Sequence, residues 1–244
     1  MTMLDSKKQL VPSREDHWIP LSDLMSGLMM IFLLVAIVFM VQVQREAKRQ
    51  EAQAQIVKDA AVLYADLREQ LYQDLSSAFK DDLPRWDAVL TRDLALRFKE
   101  PQVQFDTGSA VIKPTFSSIL SSFFPRYIKI LSSPKYRDAI EEVRIEGHTS
   151  SSWEGRDPEH AYYENMRLSQ DRTRSVLEYA LTIPATRQYL GWILPRLTAN
   201  GLSSAHRIFL ANGREDPISS QRVEFRVRTN AEERLSKILK LLPK

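Results

Sequence analysis

The longest apolar segment of the chain lies near its beginning. Residues 24–44 read LMSGLMMIFLLVAIVFMVQVQ and contain no charged side chain. As an α-helix this run is about 30 Å long, which matches the hydrocarbon core of a bilayer. A signal peptide would have a shorter apolar region and then a cleavage site, whereas this run continues into the charged stretch 45–49. The pattern therefore predicts a retained membrane-spanning helix over 18–44, after a short terminus at 1–17.

A charged segment with a narrow apolar stripe follows the apolar run. Residues 45–82 contain no Gly or Pro, and apolar residues recur at three- and four-residue spacing. The stripe consists of Ile56, Ala60, Leu63, Leu67, Leu71 and Leu75. This spacing predicts an amphipathic helix, a stalk over 45–84 that Pro84 ends. The stripe suits parallel pairing of two copies, a self-dimer, and it equally suits packing on a domain surface.

The remaining residues alternate between strand and helix patterns, which predicts an α+β domain over 85–244. Strands are predicted at 96–98, 103–105, 143–145 and 222–228. Helices are predicted at 114–131 and 163–181, with a short amphipathic helix at 231–242.

Composition excludes several classes of function. The 34 Lys and Arg residues are scattered and nearly balanced by 31 Asp and Glu residues, which argues against a nucleic-acid-binding face. The absence of cysteine excludes disulfides and thiol nucleophiles and is compatible with an oxidising compartment. Without a Gly-rich phosphate loop or a metal-ligand pattern, no enzyme activity and no metal or other cofactor are predicted. His148, alone at a strand end, is assigned a structural role.

Asp23 is the ionisable residue closest to the apolar run. Ser22, Ser26 and Gly27 surround it with small side chains, which would allow close helix packing and enclose the carboxylate in protein. Carboxylates in such positions are costly and usually functional. The alternative is that Asp23 lies in the first turn of the helix, among the headgroups, where the helix dipole favours an acidic residue. The residues alone leave both interpretations open.

The segment 20–35, PLSDLMSGLMMIFLLV, resembles the transmembrane helix of MotB-type stator subunits. In those proteins an aspartate before a Met- and Phe-rich apolar run binds the transported ion, and Asp23 matches that aspartate. The resemblance implies a proton as the coupling ion, with sodium left open. It also implies a multi-spanning MotA/ZorA-like partner that forms a ring around two copies of this chain.

Three motifs in the C-terminal domain resemble the OmpA-like peptidoglycan-binding family. They are FDTGSA at 105–110, EGHT at 146–149 and NMRLSQDR at 165–172. The resemblance implies a β-sheet with helices on one face. It further implies that Arg172, Asn165 and Leu168 bind a wall peptide, with the arginine on a carboxylate.

The chain departs from that family directly after EGHT, where Ser150 replaces the aspartate that would bind an ammonium group. The following loop is longer and contains three carboxylates, Glu154, Asp157 and Glu159. One of them is a candidate replacement, and weak or conditional wall binding is the alternative.

Three further departures accompany Ser150: a short N-terminus, Leu21 and Ser22 before Asp23, and residues 183–197, which have no counterpart in the family pattern and are interpreted as an insertion. With these departures the chain is similar to the MotB-like membrane proteins of Zorya anti-phage defence systems. The resemblance implies a proton-conducting stator subunit in the bacterial inner membrane, single-pass, with a cytoplasmic N-terminus and a periplasmic C-terminal domain. The alternatives are a flagellar MotB-like subunit and a non-conducting peptidoglycan anchor.

Overall fold

The structure, a computed structural model, describes residues 18–99, 104–153, 155 and 157–231, and only the backbone at 18–20. The expected N-terminal segment 1–17, Glu154 and most of the expected helix 231–242 lie outside these residues. The chain forms two compact units, Met1–Ile56 and Val57–Lys244.

The predicted spanning helix and stalk form one continuous helix, α1, at Trp18–Phe79. All residues from 21 to 50 are exposed in the isolated chain, including Leu24 at 70% and Met30 at 77%. Among the described residues, α1 is the one helix that is long and apolar enough to cross a membrane, with a mean hydropathy of 2.8 over its most apolar window. An apolar surface of this extent favours lipid or protein contact over water.

The apolar stripe of the stalk has two different environments. Leu71, Leu75 and Phe79 are buried in the core of the second unit, whereas Ile56 and Leu63 are 50% and 66% exposed. The C-terminal part of the stripe thus packs on the domain. Its N-terminal part has an open apolar surface that is available for pairing.

The second unit is built on a five-stranded sheet with the order β1-β2-β5-β3-β4. The strands are β1 at Ala88–Leu90, β2 at Ala95–Phe98, β3 at Ile140–His148, β4 at Leu197–Gly201 and β5 at Arg222–Thr229. All neighbours are antiparallel except β3 and β4, which are parallel. A parallel pair needs a crossover connection, and a long helix between β3 and β4 supplies it.

Two long helices accompany this sheet, α2 at Pro114–Leu131 and α3 at Pro158–Thr182. Two short helices, α4 at Leu190–Ile193 and α5 at Pro217–Ser220, lie in the connections beside β4 and β5. The expected insertion at 183–197 folds as a 3-10 helix, Pro184–Tyr189, followed by α4 and the start of β4.

One predicted strand is wrong. Gln104 is helical and Phe105 lies in a loop, while residue 103 is outside the described part of the chain. The side-chain amide of Gln104 donates a hydrogen bond to the carbonyl of Phe98, 2.8 Å away, and so contacts the end of β2 through its side chain. Phe105 is nevertheless buried, which explains its strand-like apolar character in the sequence.

The core lies on one face of the sheet, where aromatic rings pack together. Phe225 of β5 contacts the Phe123 ring of α2 at 5.0 Å between centroids, and Phe123 contacts Phe79 of α1 at 5.3 Å. Phe98 of β2 completes the cluster at 5.5 Å from Phe123. The α+β class with helices on one face of the sheet is therefore confirmed.

Helix α3 approaches the sheet closely because two glycines stand opposite it. Gly147 and Gly201 are register partners on β3 and β4. A Cβ on Gly147 would lie 2.6 Å from a methyl group of Thr173, and one on Gly201 would lie 2.3 Å from the backbone nitrogen of Gln170. Larger residues at either position would push away the helix that carries the predicted site.

Candidate functional site

The predicted ion-site residue, Asp23, is the sixth residue of the described part of α1, so it lies beyond the first helical turn. The first turn of the described helix contains no acidic residue. Ser26 donates a hydrogen bond to the carbonyl of Ser22, 2.8 Å away, and thereby satisfies its own hydroxyl. Gly27 has open space around it. The small-residue surface around Asp23 is thus exposed and suited to another helix.

The predicted wall-binding arginine, Arg172, holds the FDTGSA turn in place. Its Nε donates to the carbonyl of Ser109 at 2.8 Å, and its Nη2 donates to the carbonyl of Asp106 at 3.1 Å. The guanidinium carbon also lies 4.9 Å from the centre of the Phe105 ring. Gly108, with a φ of 69°, provides the left-handed residue that this turn requires.

Three of the five N–H groups of Arg172 remain after these two bonds, including both on Nη1. The side chain is largely buried, and burial lowers its pKa to about 10. It therefore stays cationic at neutral pH. The remaining N–H groups of Arg172 can donate hydrogen bonds to one carboxylate. The arginine also has a structural role, holding the FDTGSA turn, that the sequence did not indicate.

Asn165 lies two turns before Arg172 on α3 and is also buried. Its side-chain amide donates to the carbonyl of Ser152 at 3.2 Å, so it connects the helix to the loop after EGHT. Leu168 lies between them on α3 and is half-buried. The structure thus places all three predicted residues on one helix, and two of them hold the neighbouring loops.

The carboxylates proposed to replace the missing aspartate at Ser150 are occupied elsewhere or not described. Asp157 is the N-cap of α3 and accepts hydrogen bonds from the backbone of Glu159 and His160. Glu159 is exposed and accepts a hydrogen bond from Tyr163 at 3.3 Å. Glu154 lies outside the described residues.

A carboxylate that the sequence did not single out, Glu215, contacts the same loop. It accepts hydrogen bonds from both the backbone nitrogen of Ser151, at 3.0 Å, and the Ser151 hydroxyl. Glu215 is 65 positions from Ser150 and belongs to none of the family motifs. No pattern in the sequence indicates that Glu215 contacts this loop.

Sequence comparison with known proteins identifies the family of this chain. The chain matches no family model. It is 44% identical over 236 residues to the Zorya protein ZorB of Escherichia coli strain Crooks, covering 95% of this chain and 97% of that protein. The chain belongs to the ZorB family. The match covers nearly the whole length of both chains, so neither chain has a large unmatched segment.

Solved structures similar to this ZorB-family chain are more distant in sequence. A MotB-like protein from Desulfovibrio vulgaris has a TM-score of 0.51 at 21% identity, covering 69% of this chain and 98% of that one. The periplasmic domain of Helicobacter pylori MotB has a TM-score of 0.39 at 16% identity, covering 61% and 87%. The first likeness shows the fold of the C-terminal domain.

The outer face of the sheet in this ZorB-family chain carries a buried charge cluster. Glu224 accepts hydrogen bonds from Arg222 Nε at 2.6 Å and from Arg226 Nη2 at 2.8 Å. Arg97 Nε lies 2.8 Å from Glu224 without the angle of a hydrogen bond, so this contact is an ion pair only. Arg226 also donates to Glu146 at 3.0 Å.

His148 lies within this cluster, and its two ring nitrogens have no hydrogen-bond partner among the described residues. Burial and then the nearby positive charges, Arg222 foremost, lower the pKa of His148 to about 2. The imidazole is therefore neutral, and the carboxylates of Glu146 and Glu224, each 3.9 Å from Nε2, do not form ion pairs with it.

These three residues bring potential ligand atoms within 4.8 Å of one another. His148 is therefore not alone at its strand end, because the carboxylates of Glu146 and Glu224 lie beside its ring. The carboxylates already bind guanidinium groups, however, and a divalent cation would add charge beside three arginines. The arrangement favours an arginine–glutamate network over a metal centre.

The depressed pKa of His148 predicts a pH dependence of stability. The unfolded imidazole takes up a proton below about pH 6.5, whereas the folded one does not, so protonation favours unfolding. Lowering the pH from 7 to 5 should reduce the free energy of unfolding by about 2 kcal/mol through this residue. Thermal unfolding of the full-length chain in detergent, followed by tryptophan fluorescence, measures the effect.

His148→Gln is the control for this experiment, since glutamine does not titrate. Its melting temperature should fall less than that of the parent between pH 7 and pH 5. Equal falls in both proteins would show that His148 does not contribute to the pH dependence.

Proposed function

We propose that this ZorB-family chain is a stator-type subunit of an ion-driven membrane complex that acts in anti-phage defence and is anchored to peptidoglycan. One observation carries the proposal. A single helix, α1, holds the ionisable Asp23 at the start of an exposed apolar run and contributes its last turns to a domain with the OmpA/MotB-like fold.

Ion transfer requires a second protein in this proposal. One spanning helix cannot enclose a pore, and an isolated carboxylate in lipid is costly. The exposed small residues Ser22, Ser26 and Gly27 provide a surface on which a multi-spanning MotA/ZorA-like subunit can enclose Asp23. We infer a ring of such subunits around two copies of this chain, with a proton as the transported ion.

The location follows from the ligand in the proposal. Peptidoglycan lies outside the inner membrane, so the domain after α1 would be periplasmic and residues 1–17 cytoplasmic. The domain would bind the wall and hold the complex in place while ions pass through it. This is a binding and energy-converting role, not an enzymatic one.

The wall site in the proposal is formed by α3 and the two loops that it holds. Asn165 holds the loop after EGHT through its bond to Ser152. The remaining N–H groups of Arg172 would donate hydrogen bonds to a carboxylate of the wall peptide. A charged contact of this kind contributes about 2 to 5 kcal/mol when its partner would otherwise be buried and unpaired.

The experiment is co-sedimentation of the detergent-solubilised full-length chain with purified peptidoglycan. Arg172→Ala combined with Asn165→Ala should abolish co-sedimentation, because both the carboxylate contact and the loop contact are lost. The double variant should also melt at a lower temperature, since two backbone carbonyls lose their Arg172 donor. Binding is therefore measured well below that melting temperature.

Arg174→Ala is the matched control, because it removes the same charge from an exposed position on the same helix. Arg174 forms an ion pair with Asp171 that is open to solvent. It should bind peptidoglycan like the parent. Undiminished binding by the folded double variant would contradict the proposed wall site.

A further inference from the structure

The loop after EGHT is held from two sides by residues that are distant in sequence. On one side, Asn165 of α3 donates to the carbonyl of Ser152 at 3.2 Å. On the other, Glu215 accepts from the backbone and the hydroxyl of Ser151. The two side chains therefore bind adjacent residues of one short loop.

Glu215 is positioned by a hairpin-like turn before β5. The backbone of Asp216 donates to Ile208 at 2.8 Å, and that of Leu210 donates to Arg214 at 2.8 Å. Phe209 and Glu215 form a bridge between the two arms, and Gly213, with a φ of 77°, lies at the turn. The carboxylate is thus fixed by regular backbone bonds, and only 13% of its side chain is exposed.

The carboxylate of Glu215 has unused capacity to accept hydrogen bonds. Two ionised oxygens together offer about four acceptor positions, and Ser151 occupies one on each oxygen. Arg207 is the nearest cation among the described residues, with its Nη1 3.9 Å away, beyond hydrogen-bond distance. A largely buried anion with free acceptor positions is well suited to an ammonium group.

No other described carboxylate of this loop is equally free. Ser150 is neutral and buried, Asp157 caps α3, and Glu159 lies on the exposed side with Tyr163. Position 150 has no negative charge, but the carboxylate of Glu215, from a distant part of the sequence, lies beside the next residue, Ser151.

We propose that Glu215 is the residue that selects wall peptides with a free side-chain amine, by binding the ammonium group beside the loop that Asn165 holds. This inference rests on the proposed peptidoglycan anchoring. Arg172 would take a carboxylate of the same wall peptide.

The test measures binding of a purified disaccharide-tripeptide from peptidoglycan, with its diaminopimelate amine free or acetylated, to the full-length chain in detergent by calorimetry. Glu215→Gln keeps one oxygen to accept from Ser151 and removes the charge. It should weaken binding of the free-amine fragment about tenfold or more and leave binding of the acetylated fragment unchanged. Glu159→Gln, which removes an exposed carboxylate from the same region, should bind both fragments like the parent.

Ser151→Ala separates charge recognition from loop support, because it removes the hydroxyl contact and keeps the carboxylate. Ser151→Ala should retain the preference for the free-amine fragment. If Glu215 only supported the loop, Glu215→Gln and Ser151→Ala would each weaken binding of the free-amine and the acetylated fragment equally. Equal binding of the free-amine fragment by the parent and Glu215→Gln would overturn the role of Glu215 alone. Failure of the parent to bind either fragment would overturn wall anchoring and this inference with it.

Discussion

Asp23→Asn should leave the chain in the membrane at its normal level and abolish protection against phage. Asparagine has the same size and hydrogen-bonding capacity but cannot ionise. In the proposed mechanism the membrane potential, worth about 2.3 kcal/mol per elementary charge at 100 mV, is used only if the carboxylate alternates between charged and neutral forms. Phage plaque counts on cells that carry the full system, with immunoblots of the membrane fraction, measure both expectations.

Two further variants complete this experiment. Asp23→Glu keeps the titrating group and should retain part of the protection. Asp66→Asn removes an exposed carboxylate from the same helix, outside the apolar run, and should protect like the parent. If Asp23→Asn cells resisted phage as well as the parent, ion transfer through Asp23 would be wrong and the non-conducting anchor would be the better description.

Glu224→Gln should destabilise the C-terminal domain by about 3 to 5 kcal/mol, because it leaves the buried Arg222 and the half-buried Arg97 and Arg226 without this counter-charge. Glu224 has no exposed surface, and three guanidinium groups contact its two oxygens. A loss of this size is a large part of the stability of an ordinary domain. Thermal unfolding of the full-length chain, followed by tryptophan fluorescence, measures it.

Glu141→Gln is the control on the same sheet. Glu141 is exposed and pairs with Arg228 at 3.6 Å across β3 and β5. Exposed pairs of this kind contribute about 1 kcal/mol or less, so the control should melt close to the parent. Similar melting of the parent and both variants would show that the charge cluster is not a source of stability.

Local patterns predicted the elements with strong periodicity. Helix α2 begins and ends at the expected residues because Pro114 fixes its start and apolar residues follow at helical spacing. Strand β5 was visible from its alternation of apolar and charged residues. Strand β4, Leu-Thr-Ala-Asn-Gly, was missed because it has little β-branched or aromatic character and depends on pairing with β3.

Long-range contacts explain what the sequence could not predict. The alternating charges of β5 suggest a solvated face, yet Arg222 and Glu224 are buried because each satisfies the other. Glu215 reaches Ser151 only through the tertiary fold. Arg172 and Asn165 were found through their resemblance to family motifs, and the structure adds that they hold loops as well.

The last turns of helix α1 make the domain part of its own tether. With Leu71, Leu75 and Phe79 inside the core, the end of the helix is part of the packed domain. Tension along α1 would act directly on hydrophobic packing. The force that the domain withstands would then depend on the packing of these side chains, and a pull strong enough to extract Phe79 would unfold the domain.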